Sequence, residues 1–119
     1  MLAFNLLVCL FSLFPDQPSF TSRPSNQTVI EGKKIIFNCS ATGNPHPDMS
    51  WLKGGKTVAE GGTLSLETSR NDSGIYWCLA KNGVGEVINA TAYLDVQCKF
   101  GNQTRKIVLF QVISYQCYR

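Results

Sequence analysis

The chain has 119 residues, which is the size of a single domain. Its residues are 44% hydrophobic and 16% charged, and the formal net charge is +3. This composition predicts a folded globular chain, and it excludes a disordered segment and a basic surface for nucleic acid or an anionic membrane.

The same sequence offers little for catalysis. It has one histidine, His46, and it contains no CxxC, GxGxxG or P-loop motif. Five cysteines in a chain this short indicate an oxidising compartment. We therefore expect no enzyme activity, no catalytic residues, no cofactor and no metal.

Residues 1–15 form an apolar segment, MLAFNLLVCLFSLFP. Crossing a bilayer takes about 20 apolar residues, so this segment is too short to do so. It is predicted to be either a signal peptide, although Lys, Arg and an A-x-A cleavage pattern are missing, or translated intron. The intron interpretation rests on codons, since residues 98–100 can be encoded with a splice donor and residues 10–16 with an acceptor. The exon would then run from about Asp16 to Gln97.

Residues 17–97 alternate short apolar runs with turn residues, a pattern typical of an all-β domain. The strands are predicted at residues 29–30, 34–41, 49–53, 63–67, 75–81 and 86–96. Residues 43–48 (GNPHPD) are predicted to be a rigid loop, and Asn82-Gly83 a hairpin turn. Within the loop, His46 is expected to be solvated or to be a contact residue at the loop tip.

The tail, residues 98–119, has no recognised motif and one β-prone run at residues 107–113. Cys98 and Cys117 are expected to pair with each other, or one of them to link to another chain. The fifth cysteine, Cys9, would be lost with a signal peptide.

A set of residues in the middle segment has a characteristic spacing. Trp51 follows Cys39 by twelve positions, and Tyr76 stands two positions before Cys78 in the run DSGIYWC. Together with the GNPHP loop and the final LDV, these residues resemble the immunoglobulin superfamily, nearest to its I-set or C2-like domains.

The resemblance implies a Greek-key sandwich of two antiparallel sheets joined by a Cys39–Cys78 disulfide. It also implies a core role for certain side chains and a tyrosine corner. The implied core residues are Phe37, Trp51, Leu64, Leu66 and Tyr76. Because only 11 residues separate Trp51 from Thr63, the long C″ hairpin of a variable domain cannot fit. Asp72 lacks an evident basic partner, and Lys56 is the nearest candidate.

Strand alternation predicts an apolar outer face on the sheet that carries Trp51, Cys78 and Leu94. The residues sent to this face are Leu52, Ile75, Trp77, Leu79, Val87 and Tyr93. Such a cluster resembles a protein-binding patch in which Trp and Tyr are hot spots. The alternative is that these are the scattered exposed apolar residues normal on any protein.

Five Asn-x-Ser/Thr sequons, against about one expected by chance, favour a secreted context. Their asparagines are Asn26, Asn38, Asn71, Asn89 and Asn102. Glycosylation at Asn38 would compete with oxidation of Cys39. A glycan at Asn89 would share the face of Trp77 and narrow any binding patch.

The sequence therefore predicts a non-enzymatic extracellular protein-binding module, secreted or in a cell-surface ectodomain. The expected role is in a cell-adhesion or receptor chain with several domains, with a protein partner bound homophilically or heterophilically. No nucleic acid partner is expected, and no transmembrane segment in this chain. The alternatives are a free-standing secreted single-domain binder and a structural spacer domain.

Overall fold

A computed structural model describes residues 14–98 and the backbone pairing of two further strands in the tail. The predictions for residues 1–13, including Cys9, and for Asn102 lie outside the described residues. The strands are β1 Asp16–Ser22, β2 Gln27–Ile30, β3 Lys34–Asn38, β4 Ser40–Asn44, β5 Asp48–Lys53, β6 Lys56–Glu60, β7 Thr63–Glu67, β8 Gly74–Lys81, β9 Ile88–Gln97, β10 Thr104–Leu109 and β11 Val112–Cys117. A short 3-10 helix spans Arg70–Asp72.

The strands form an all-β sandwich. One sheet has five strands in the order β2-β9-β8-β5-β6, with β2 parallel to β9 and the other pairs antiparallel. The opposing layer consists of β1 paired with β4 and β3 paired with β7. The expected fold is therefore confirmed, and β10 and β11 add an antiparallel hairpin.

Some strand boundaries differ from those predicted. The single strand expected at residues 34–41 is divided at Cys39, whose N–H donates to the Gly62 carbonyl at 2.9 Å. Its second part, β4, continues to Asn44, into the predicted loop. Strands β1 and β6 were not predicted, because Pro18 interrupts the first and the second shows no apolar alternation.

The connection between β6 and β7 consists of Gly61 and Gly62 alone. Strand β6 pairs with β5, and their register contains a bulge. Strand β7 begins at Thr63, immediately after the two glycines. The five-stranded sheet therefore gains an edge strand, whereas the opposing layer has none beyond β7 within residues 14–98.

The core lies between the two layers, around the Cys39–Cys78 disulfide. The Phe37 ring lies 5.6 Å from the rings of both Trp51 and Tyr76, measured between centroids. Trp51 and Tyr76 are buried, and so are Phe37 and Leu64, whereas Leu66 is half-buried against them. Aromatic rings at this spacing stabilise a small core beyond the area they bury.

Tyr76 ties the core to the 3-10 helix. Its hydroxyl donates to the Asp72 carbonyl at 2.7 Å, and burial, followed by the negative charge of Asp72, raises the pKa of Tyr76 to about 12. The proposed Lys56 partner for Asp72 is wrong. The Asp72 carboxylate instead accepts hydrogen bonds from the Ser69 N–H at 2.7 Å and the Ser69 hydroxyl at 3.2 Å.

Candidate protein-binding face

The candidate site is the outer face of the five-stranded sheet, and the register between strands sets its geometry. Strands β5, β8 and β9 align Leu52, Trp77 and Thr91 in one row across the sheet. Beside this row, Ile75 pairs with Tyr93. Residues two apart on a strand share a face, so these side chains form one continuous surface, here called the β8 face.

The exposed apolar area of the β8 face comes mainly from three side chains. Ile75 is 51% exposed, Trp77 42% and Tyr93 47%. Leu52 and Leu79 lie on the same face but are half-buried. Five of the six residues predicted for this face therefore form one cluster.

Val87 lies apart from that cluster. It is exposed, but it precedes β9 and stands beyond the last β8–β9 pair, Ala80 with Ile88. Asn89 and Thr91 lie between it and Tyr93 at the alternate positions of the chain. The prediction that Val87 belongs to the face is therefore not supported by the strand register.

Strand β6 supplies a part of this surface that the sequence did not indicate. Thr57 lies opposite Leu52, and Val58, the extra residue of the bulge, is 45% exposed. No signal in residues 56–60 predicted this contribution, because these residues do not alternate between polar and apolar.

Polar residues border the apolar cluster at one end. Ser50 pairs with Leu79 and Asp48 with Lys81, so the surface becomes polar along β8 from Gly74 towards Lys81. An apolar centre with a polar rim is the usual anatomy of a protein interface.

Two sequons flank the cluster. Asn89 is exposed and lies opposite Leu79, in the row next to Trp77 and Thr91. Asn26, just before β2, accepts a hydrogen bond through Oδ1 from the Tyr93 N–H at 2.8 Å. Glycans at these two positions would stand at the β9 side of the cluster.

The other two described sequons lie elsewhere. Asn38, on β3, is exposed in the opposing layer, and its Oδ1 accepts a hydrogen bond from the Thr63 hydroxyl at 3.0 Å. Asn71 lies in the 3-10 helix, where its carbonyl accepts from Lys53 Nζ at 3.0 Å. Neither borders the β8 face.

Hydrogen bonds from Asn82 connect the loops at the Lys81 end of the sandwich. Asn82 Nδ2 donates to the Asp16 carbonyl at 2.7 Å and the Pro45 carbonyl at 3.0 Å. His46 is exposed at the same end. Asn82 therefore links the β8–β9 turn to the loop before β5 and to the start of β1.

Neither a metal-binding cluster nor a membrane-spanning helix is present among the described residues. Residues 14–98 contain no group of three or more His, Cys, Asp or Glu side chains that could hold a metal ion. Nor does the described part of the chain contain a helix long and apolar enough to cross a membrane. The β8 face can bury apolar area against another protein.

Comparison with known proteins places the fold among related domains. A family model described as "Immunoglobulin domain" matches residues 17–82. The mouse protein Peroxidasin homolog is 32% identical over 117 residues, and human Roundabout homolog 2 is 34% identical over 90 residues. Immunoglobulin domains 1–5 of Sidekick-1 superpose with a TM-score of 0.67 at 29% identity, over 72% of this chain and 21% of that structure.

The sequence relatives are much longer than this chain. The match covers 87% of this chain but 8% of Peroxidasin homolog, and 69% of this chain but 6% of Roundabout homolog 2. The shared part is therefore one domain's length within each relative.

Proposed function

The chain belongs to the immunoglobulin superfamily as a domain of the I-set or C2 type, and we propose that it is a protein-binding module of an extracellular multi-domain protein, in cell adhesion or in a receptor. The observation that carries the proposal is the exposed apolar cluster on the β8 face.

The chemistry of the cluster supports protein recognition. Trp and Tyr are the residue types most often found as hot spots, because they bury a large area with little loss of conformational freedom. Trp77 stands at the centre of the cluster, between Leu52 on β5 and Thr91 on β9. A partner covering these strands would bury Trp77 together with Ile75.

The sequon positions support an approach from one side. Glycans at Asn89 and Asn26 would occupy the β9 side, so a partner would approach over β5 and β6. Thr57 and Val58 would then take part in the contact. This direction leaves Trp77 and Leu52 accessible.

The extracellular setting rests on the disulfide and the sequons. The Cys39–Cys78 bond forms in an oxidising compartment and would be reduced in the cytosol. Five sequons in 119 residues fit passage through the secretory pathway. The length of the relatives supports a position within a longer chain rather than a free-standing binder.

A binding screen tests the proposal. The full chain, displayed as a multimer, is applied to an array of other cell-surface and secreted ectodomains. We expect at least one ectodomain to bind, and Trp77→Ala to weaken that binding by about 30-fold or more, the loss typical of a hot spot.

The matched control is Ile36→Ala. Ile36 is 48% exposed on β3, in the opposing layer. The substitution therefore removes an exposed apolar side chain from the other surface of the domain. We expect it to leave the affinity unchanged. A folded Trp77→Ala chain that binds at full strength, or a chain that binds nothing on the array, would contradict the proposal.

A further inference from the structure

Strand β7 presents an open edge. It pairs with β3 on one side and with no strand on the other among the described residues. The other edge strands carry features that discourage pairing. Strand β1 contains Pro18, its pairing with β4 has two breaks in register, β6 begins at Lys56 and is bulged, and β2 has only four residues. Strand β3 is also paired on one side only, but it begins at Lys34, and the Ile36 carbonyl on its other side accepts a hydrogen bond from Gln27 Nε2 at 2.8 Å. Strand β7 has five residues in unbroken register, without proline or lysine.

Two hydrogen bonds define which backbone groups face that edge. At one end of the β3–β7 pair the Cys39 N–H donates to the Gly62 carbonyl at 2.9 Å, and at the other the Thr68 N–H donates to the Lys33 carbonyl at 3.0 Å. Hydrogen-bonded and non-hydrogen-bonded pairs alternate along an antiparallel ladder. The even-numbered residues of β7 are therefore bonded to β3.

The odd-numbered residues of β7 consequently direct their backbone N–H and C=O groups to the open edge. These residues are Thr63, Ser65 and Glu67, and their side chains are exposed. The described residues supply no backbone partner for these six groups. Thr63 uses only its hydroxyl, in the bond to Asn38.

We propose that this edge pairs antiparallel with the β7 edge of a second copy of the chain, about a two-fold axis at Ser65. In that register Ser65 faces Ser65 of the second copy, and Thr63 faces the second copy's Glu67. All six open backbone groups on each copy then form hydrogen bonds. The β3-β7 pairs of the two copies then form one four-stranded antiparallel sheet.

The sequence of β7 suits this self-pairing. The strand reads TLSLE, so Leu64 comes opposite Leu66 of the second copy, both on the core side. The one charged side chain, Glu67, faces the neutral Thr63 rather than another carboxylate. A two-fold interface requires a surface that is complementary to itself, and an edge centred on Ser65 meets that requirement.

Amide hydrogen exchange of the full chain tests the register directly. The chain is compared at about 10 µM and about 1 mM, concentrations that span weak association. In dilute protein the amides of Thr63, Ser65 and Glu67 should exchange quickly, whereas those of Leu64 and Leu66 are protected by β3. At the high concentration the amides of these three odd-numbered residues should become protected from exchange. Sedimentation equilibrium at the same concentration should show a dimer.

Substitutions at Thr63 test the opposed side chains. Thr63→Lys places a positive charge opposite Glu67 twice in the dimer, and Thr63→Glu places a like charge there. Cross-strand charge pairs of ordinary strength predict dimerisation about 2- to 30-fold tighter for Thr63→Lys and weaker for Thr63→Glu. Both differences should shrink at about 1 M salt.

Ser65→Pro removes an N–H that faces the open edge and none that bonds β3, so it should abolish the dimer, whereas Ser65→Thr should retain it. Trp77→Ala should leave self-association unchanged, which separates this inference from the proposed function. A chain that stays monomeric at about 1 mM overturns the inference, and so does a dimer that leaves the three amides unprotected or ignores both Thr63 variants.

Discussion

At the scale of single residues, the Tyr76 hydroxyl stabilises the fold through its hydrogen bond to the backbone. Tyr76 is 1% exposed, and its hydroxyl binds the Asp72 carbonyl. Tyr76→Phe keeps the ring but leaves that carbonyl without its donor, so we expect the free energy of unfolding to fall by about 1–3 kcal/mol. Urea unfolding measures the change. Tyr93→Phe is the control, because Tyr93 is 47% exposed.

The raised pKa of Tyr76 adds a dependence on pH to the same prediction. The pKa is about 12 in the folded chain against 10.0 for an ordinary tyrosine. The stability that this shift contributes is complete below pH 10 and is lost as the pH rises from 10 to 12, at up to about 1.4 kcal/mol per pH unit. If Tyr76→Phe loses stability as steeply as the native chain over this interval, the buried phenol is not the cause.

Sequon accessibility gives a second prediction at this scale. Asn89 is exposed on β9 and makes no side-chain hydrogen bond among the described residues. Asn38 precedes a disulfide cysteine and already binds Thr63. In secreted chain from animal cells we expect glycopeptide mass spectrometry to find Asn89 more fully occupied than Asn38. The reverse order would contradict this account of access, and Asn89→Gln should remove one glycan.

At the scale of elements, the two glycines between β6 and β7 differ in what an added side chain would meet. Gly61 has φ +91 but nothing within 4 Å, so Gly61→Ala should cost about 1 kcal/mol, from backbone conformation alone. At Gly62 an added Cβ would collide with the Cys39 carbonyl. Because the Cys39 N–H is itself bonded to Gly62, that backbone cannot move away easily.

We therefore expect Gly62→Ala to cost about 3 kcal/mol or more, more than Gly61→Ala. Thermal unfolding of both variants checks the order. Equal losses at the two positions would show that the β3–β7 approach at Cys39 is looser than the structure has it.

The elements also show which parts of the fold a sequence can predict. The sandwich was predicted from a resemblance to the immunoglobulin superfamily that Cys39, Trp51 and Cys78 carry. These positions are recognisable because a covalent bond and a large buried ring leave few alternative residues. Strands β1 and β6 were missed, since their pairing depends on backbone hydrogen bonds to neighbours rather than on side-chain alternation. The open edge of β7 could not be predicted for the same reason, since it depends on which backbone groups are hydrogen-bonded to β3.

The candidate site was predicted to a similar extent. Alternation placed Ile75, Trp77 and Tyr93 on one face, because the side-chain period of a strand is fixed at two. Alternation also placed Val87 on this face, but Val87 precedes the first residue of β9 and has no partner in the β8–β9 register. Alternation did not predict that Thr57 lies on this face, since the bulge that aligns β6 with β5 has no signature in the sequence.

At the scale of the whole molecule, the disulfide is the main covalent constraint on a small core. Closing a loop with a sequence separation of 39 stabilises the fold by about 4 kcal/mol on the chain-entropy model. The double substitution Cys39→Ala, Cys78→Ala should therefore lower the free energy of unfolding by about that amount or more. Denaturant unfolding of the purified chain measures the loss.

A loss below about 1 kcal/mol would contradict the role given to the bond. The matched control is Thr42→Ala, which changes an exposed residue on β4 three positions after Cys39 and should leave stability nearly unchanged. Both chains should retain the strand content of the native chain under mild conditions.

The central claim is that the β8 face, and not the outer face of the opposing layer, recognises a partner protein other than a second copy of this chain. Glycan wedges test it directly on the chain expressed in animal cells. The pair Ile75→Asn, Trp77→Thr creates a sequon on the β8 face, and the pair Ile36→Asn, Asn38→Thr creates one on β3, with occupancy of each checked by mass.

The measurement is the binding of each wedged chain to the ectodomain identified by the screen. The account predicts that the wedge at residue 75 abolishes binding and that the wedge at residue 36 leaves it intact. Full binding by the chain wedged at residue 75, or loss of binding only in the chain wedged at residue 36, would contradict it.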